Sequence, residues 1–191
     1  MKIHVYLLCY NEENIIESVL RYYSKICSRI FLMDNHSTDN TLTIAKKFDK
    51  VTVISWKSST GMIDEQKYVN LKSQTFKQYS RAGGEHTEEI ADWVISCDMD
   101  EVLYHPDLIN MLTRLKTKNV TCPETIGIEM VGENSLDSTA SIVGQYKAGF
   151  HSVGHCKNII FTSNFNICYN CLLYTSPSPR DQRGSRMPSC A

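Results

Sequence analysis

The sequence predicts an α/β fold with a mostly parallel sheet, and three observations carry that expectation. Short apolar runs rich in β-branched residues alternate along the chain with stretches of helical period. The runs are apolar at successive rather than alternate positions, as befits strands covered on both faces. The run from Trp93 to Cys97 then ends abruptly in acid, at the kind of strand end where open α/β sheets bind ligands.

Taken in order, Ile3 to Cys9 forms a buried first strand. Asn11, Glu12 and Glu13 follow as cap and first-turn acid for a helix whose apolar face is Ile15, Ile16, Val19, Tyr23 and Ile26. Arg29 to Met33 is a second strand ending at Asp34. The segment DNHSTDNT, Asp34 to Thr41, supplies turn and cap chemistry before a short helix that runs through Phe48. Val51 to Ser55 is a third strand, and Gly61 to Asp64 opens a long helix. Tyr68, Leu71, Thr75 and Tyr79 recur along that helix, which reaches the neighbourhood of Arg81. A polar loop from Ala82 to Thr87 leads through Glu88 to Asp92 into the acidic strand. Pro106 starts a helix that buries Leu108, Leu112 and Leu115. Ile126 to Val131 and Asn158 to Phe161 read as strands, with a loop from Glu133 to Gly144 between them.

The end of the chain has a different character. Cys171 to Asp181, CLLYTSPSPRD, back-translates without strain to a transposase-type sequencing-library adaptor, and SRMPS, Ser185 to Ser189, fits the flow-cell end of one. We therefore expect one native domain, residues 1–170, and a non-native, disordered tail, residues 171–191. On this expectation the domain is incomplete at its C-terminus, because the reading frame continued beyond Asn170.

Composition excludes several classes. A formal net charge of -1 offers no basic field for nucleic acid. Of the eight cysteines, Cys171 and Cys190 fall in the tail, and Cys9, Cys27, Cys97, Cys122, Cys156 and Cys168 have no metal-ligand spacing. Free thiols in a reducing compartment follow. The apolar start, Ile3 to Tyr10, is too short to span a bilayer, and the acidic residues after it are no signal-peptide cleavage site. A cytoplasmic location is expected.

The chemistry concentrates in DWVISCDMDEVLYHPDL, Asp92 to Leu108. Asp98, Asp100 and Glu101 repel one another unless water, a cation or a donor compensates. If Asp98-Met99-Asp100 is extended, both aspartates point to one side, within reach of a hard cation such as Mg²⁺ or Mn²⁺. Such an ion neutralises a diphosphate and makes it a better leaving group. Asp34 ends a neighbouring strand, and because Ser37 and Asp39 can cap the next helix, it is free to face the same crevice. Cys9 to Glu12 lies at a helix N-terminus, a place for a polar ligand. Lys72, on the long helix, could meet a phosphate. His151 and His155 have the i, i+4 spacing of a zinc pair, although loop histidines are commoner.

CYNEE (Cys9 to Glu13), DNHSTDNT and WVISCDMDEVLYHPDL, in this order and at these separations, resemble the family 2 glycosyltransferases of the GT-A fold, in particular the subgroup with an Asp-x-Asp-Glu tetrad. The resemblance covers Lys2 to Phe161. It departs from the common pattern at Cys9, where many relatives carry Pro or Val. It implies a Rossmann-like three-layer sandwich and transfer of a sugar from a UDP- or GDP-linked donor to a glycan, lipid or protein hydroxyl, helped by Mn²⁺ or Mg²⁺. It further implies that Cys9, Asn11, Glu12, Asp34, Lys72 and Asp98 contact the nucleotide-sugar, and that Asp98 and Asp100 hold the metal. The catalytic base is expected beyond Asn170; Glu129 and Glu133 are acids that nothing selects. A nucleotide-binding fragment without turnover is one alternative. A phosphatase with an aspartyl nucleophile is another, disfavoured because its Asp-x-Asp normally follows the first strand.

Overall fold

The computed structural model describes residues 1–58, 65–132, 135–167 and 169. Among the described residues, seven strands and four α-helices follow in the order β1 (Ile3–Cys9), α1 (Ile16–Ile26), β2 (Arg29–Asp34), α2 (Thr41–Ala45), β3 (Val51–Ser55), α3 (Glu65–Tyr79), β4 (Trp93–Asp98), α4 (Leu108–Thr117), β5 (Ile128–Val131), β6 (Ala148–His151) and β7 (Ile160–Thr162). The architecture is α/β with a mostly parallel central sheet, as the patterning predicts. The expected opening of α3 at Gly61 to Asp64 lies outside the described residues, as do Glu133 and the tail from Cys171 to Ala191.

The central sheet has the order β3-β2-β1-β4-β7. The first four strands are parallel, and β7 joins β4 antiparallel. β1, the middle strand, and β4 beside it are apolar at almost every position because both of their faces are covered. Alternate residues feed two cores. Ile3, Val5, Leu7 and Cys9 pack with Trp93, Ile95 and Cys97 against α1 and α4. Tyr6, Leu8, Phe31, Met33, Val94 and Phe161 pack with Phe76 and other α3 residues on the opposite face. Three layers result.

The handedness of crossovers explains which helix lies where. The chain runs from β1 through α1 to β2 and through α2 to β3, moving outward in one direction and putting α1 and α2 on one face. It then returns through α3 to β4 on the other side of β1. A crossover of the same hand in the reverse direction must cover the other face. The reversal makes the gap between β1 and β4 a topological switch point, where the carboxyl ends of parallel strands leave a crevice.

One strand has no counterpart in the sequence reading, and one expectation needs correction. The residues from 148 to 151 form β6, which pairs antiparallel with β5, although their Gly and His content masks a strand signal. All residues of this ribbon are exposed. The start of α1 is not capped by Asn11, Glu12 or Glu13: the residue at its N-cap is Ile15, with no side-chain cap bond, and the first-turn acid is Glu17. The Glu12 carbonyl instead accepts the N–H groups of Ile15 and Ile16.

Candidate functional site

Register brings the predicted acids to one edge. Cys9 pairs with Asp34 across β1 and β2, Asp34 with Ser55, and Leu8 with Asp98. The strand ends that the sequence placed separately along the chain are therefore neighbours at the carboxyl edge of the sheet, flanking the switch point.

The loop after β1 is held by the segment after β2. Ser37 Oγ accepts the Asn11 N–H at 2.9 Å, Thr41 Oγ1 accepts that of Glu12 at 2.7 Å, and Asp39 accepts that of Glu13 at 3.1 Å. In return Asn11 accepts the Thr38 N–H at 2.7 Å, and Glu13 accepts from the backbone and side chain of Asn40. Asn11 and His36 adopt left-handed backbone, with φ of 55° and 57°. Asn tolerates that region better than most residues do. The small hydroxyl and amide side chains of DNHSTDNT thus cross-link two loops as well as turning one.

Asp34 is less free than its sequence context suggests. It is buried, and its carboxylate oxygens accept the Ser37 N–H at 3.3 and 3.2 Å, so Asp34 itself closes the turn. The Cys9 thiol is buried in the core, and burial, with Asp34 nearby, pushes it up to about 12. It is a neutral packing group at neutral pH, and its carbonyl accepts the Asn35 N–H.

The acidic stretch is split three ways. β4 ends at Asp98 and the next residues form a turn, so Asp98-Met99-Asp100 is not the extended segment expected from its alternation. Asp98 Oδ1 lies 3.1 Å from Lys72 Nζ and also accepts the Tyr68 hydroxyl. Lys72 is buried, its ammonium 5.2 Å from the centre of the Tyr68 ring and 5.5 Å from that of Tyr169. Glu101 turns away to pair with Lys157, just before β7. Asp100 is exposed and makes no hydrogen bond or ion pair among the described residues. Glu12 feels what remains: partial burial, then Asp100, Asp39 and Asp98, hold its carboxyl above the usual range.

Among the described residues, no three His, Cys, Asp or Glu side chains gather to hold a metal by themselves. The donor set nonetheless fits a hard divalent ion that arrives with a diphosphate. Such ions take one or two carboxylates and complete their shell with phosphate oxygens and water. Asp100 is open, Asp98 Oδ2 accepts no hydrogen bond among the described residues, and Asp100 and Asp98 add to the burial that raises Glu12.

Lys72 and Asp98 are brought together, while Glu129 sits on the exposed β5 ribbon. His151 Nε2 lies 3.5 Å from Cys156 Sγ, and the His155 side chain is outside the described residues. The sequence assigns no site role to Tyr68, Ser37, Thr41 or Lys157, naming Ser37 only as a cap and Tyr68 only as a helix-face residue. Tyr68 was legible in part, since it stands one helical turn before Lys72 on the same face. A cleft of about 380 Å³ at the opposite, amino edge of the sheet is lined by Arg29, Thr52, Tyr79 and His86 among others, and by none of the predicted site residues.

Comparisons with known proteins place the chain among solved structures only. No family model matches it, and no curated protein matches it. It is similar to a mannosyltransferase from Pyrobaculum calidifontis, solved with GDP-Man and Mn²⁺, at 17% identity and a TM-score of 0.44, over 64% of this chain and 34% of that one. It is also similar to glucosyl-3-phosphoglycerate synthase from Mycobacterium tuberculosis. In the complex with Mn²⁺, UDP and glucosyl-3-phosphoglycerate, the likeness is 23% identity and a TM-score of 0.35, over 60% of this chain and 39% of that one. In a complex with Mn²⁺, UDP-Glc and phosphoglyceric acid, it is 21% identity and a TM-score of 0.38, over 64% and 42%. The chain thus spans less than half the length of these structures.

Proposed function

We propose that the chain carries the donor site of a GT-A-type glycosyltransferase of the Asp-x-Asp-Glu subgroup, which takes a sugar from a UDP- or GDP-linked donor to an acceptor hydroxyl. The observation that carries this reading is the convergence of Glu12, Asp34, Asp98 and Asp100 on the carboxyl edge of a parallel sheet at its switch point. Asn11 and Glu12, on a loop cross-linked to the next strand's turn, border the nucleotide. Asp34 meets the base at the end of β2, Cys9 shapes the floor beneath it, and Lys72 supplies positive charge behind Asp98. Asp98 and Asp100 hold Mn²⁺ or Mg²⁺, which when bound neutralises the diphosphate and improves it as a leaving group.

A base-activated acceptor hydroxyl attacking from the face opposite the diphosphate gives inversion. No residue is assigned as that base. The transferase-like unit is residues 1–170, and 171–191 take no part in it.

The test is Mn²⁺-dependent binding of UDP and GDP by the full chain, with Asp100→Ala as control. Binding that requires Mn²⁺, is lost in Asp100→Ala and persists in a chain ended at Asn170 supports the reading. Binding of neither nucleotide, or equal binding by the control, overturns it. Metal-dependent binding without sugar transfer to any acceptor leaves a nucleotide-binding module instead.

A further inference from the structure

Asp98 is held by two donors, and both act on the same oxygen. The Tyr68 hydroxyl and the Lys72 ammonium, the latter at 3.1 Å, converge on Oδ1, while Oδ2 accepts no hydrogen bond among the described residues. The two donors stand four residues apart on α3, one above the other on the helix face that packs against the sheet. Neither is a mobile surface group. Lys72 is 3% exposed, and its ammonium lies close to both the Tyr68 and Tyr169 rings. Tyr169 is tied back to the same helix, donating its N–H to Ser73 Oγ at 3.1 Å.

A carboxylate gripped at one oxygen by two fixed donors loses the freedom to rotate about its last bond. Building that grip requires a buried cation, which is costly unless its partner is well placed. A simple solvated acid at a strand end needs no such support. The outer partners of a metal ligand fix its orientation in this way.

Building on the donor-site reading above, we infer that Tyr68 and Lys72 are positioning residues for Asp98. They lock its carboxylate so that Oδ2 alone is presented to the divalent ion, as a one-oxygen ligand. Lys72 acts through Asp98 and does not reach for the diphosphate itself. Tyr68→Phe is the sharp variant, because it deletes only the hydroxyl and keeps the ring over Lys72.

The experiment measures Mn²⁺ affinity by electron paramagnetic resonance of the full chain with saturating UDP or GDP, for the wild type, Tyr68→Phe, Lys72→Met and Asp98→Asn. Thermal midpoints are recorded alongside. Loss of an outer partner of a metal ligand weakens metal binding by roughly tenfold or more. Tyr68→Phe is expected to show a loss of about that size with a near-wild-type midpoint, and Asp98→Asn a larger one. The carboxyl ¹³C resonance of Asp98 in the metal-free protein at neutral pH should also move in Tyr68→Phe. Wild-type Mn²⁺ affinity in Tyr68→Phe, with affinity lost in Asp98→Asn, overturns the positioning role and leaves the donor site standing. Wild-type affinity in Asp98→Asn overturns it as well. If the wild-type chain binds no Mn²⁺ with either nucleotide, the donor-site reading falls and takes this inference with it.

Discussion

His4 shows how a single buried polar residue ties this fold to pH. It lies within β1 with no exposure, its Nδ1 at 2.5 Å from Ser80 Oγ and its Nε2 at 3.0 Å from Glu89. A carboxylate only accepts, so Nε2 carries the proton and Nδ1 of the neutral ring accepts from Ser80. Ser80 Oγ is also hydrogen-bonded to the Tyr6 hydroxyl. Burial lowers the His4 pKa below its ordinary 6.5, outweighing the opposite pull of Glu89. The sign follows from linkage: below about 6.5 the unfolded ring takes up a proton that the native ring resists, so stability is full above that pH and is lost as pH falls through it. The thermal midpoint is expected to drop between roughly pH 7 and pH 5, and His4→Gln to flatten that slope. Glu89 acts in a separate range. Lys2 chiefly holds it down to about 2, so its contribution fades only as pH falls below the ordinary carboxylate range. A melting curve with no slope difference between His4→Gln and the wild type in the neutral window would contradict this account.

Helix α1 does more than cover the sheet. Its Tyr23 and Tyr22 side chains grip both backbone groups of Leu103, a residue just past the acidic turn. The Tyr23 hydroxyl accepts the Leu103 N–H at 3.0 Å, and the Tyr22 hydroxyl donates to the Leu103 carbonyl at 2.9 Å. Periodicity marked Tyr23 as a core-facing residue, and it is fully buried. Nothing in a one-dimensional pattern says that a core tyrosine's hydroxyl will serve a loop 80 residues away. Tyr23→Phe leaves the Leu103 N–H buried without its partner, which costs about 1–3 kcal/mol. Denaturant unfolding should show a fall in midpoint with unchanged slope. An equal midpoint would mean that water replaces the hydroxyl. The same separation hides the stitching of the loop after β1: the hydroxyls of Ser37 and Thr41 have the pattern of local turn chemistry, and they bond instead to the N–H groups of Asn11 and Glu12.

Across the whole molecule, stability should grade outward from the switch point. β1 is the middle strand of the sheet with β4 beside it, and both are covered by α1 and α4 on one face and α3 on the other. The β5–β6 ribbon is exposed along both strands and joins no strand of the central sheet. Local opening needs far less free energy where few apolar contacts must break. Amide hydrogen exchange is expected to be slowest at Val5 to Leu7 and Val94 to Cys97, and faster by orders of magnitude across Ile128 to Val131 and Ala148 to His151. Comparable protection in the ribbon and in β1 would contradict the layered account.

The sequence by itself determined the alternation of covered strands and amphipathic helices, and with it the meeting of Cys9, Asp34 and Asp98 at one sheet edge. Burial on both faces and helical period are local properties, and once the strands are parallel their carboxyl ends must align. Only the tertiary structure decided what each acid meets there: Lys72 and Tyr68 on Asp98, Lys157 on Glu101, and the turn of Asp34 closing on Ser37. Two of these partners lie 26 and 56 residues from their acids. Such pairings depend on strand order and on which face each helix covers, and neither leaves a mark on the residues that flank an acid.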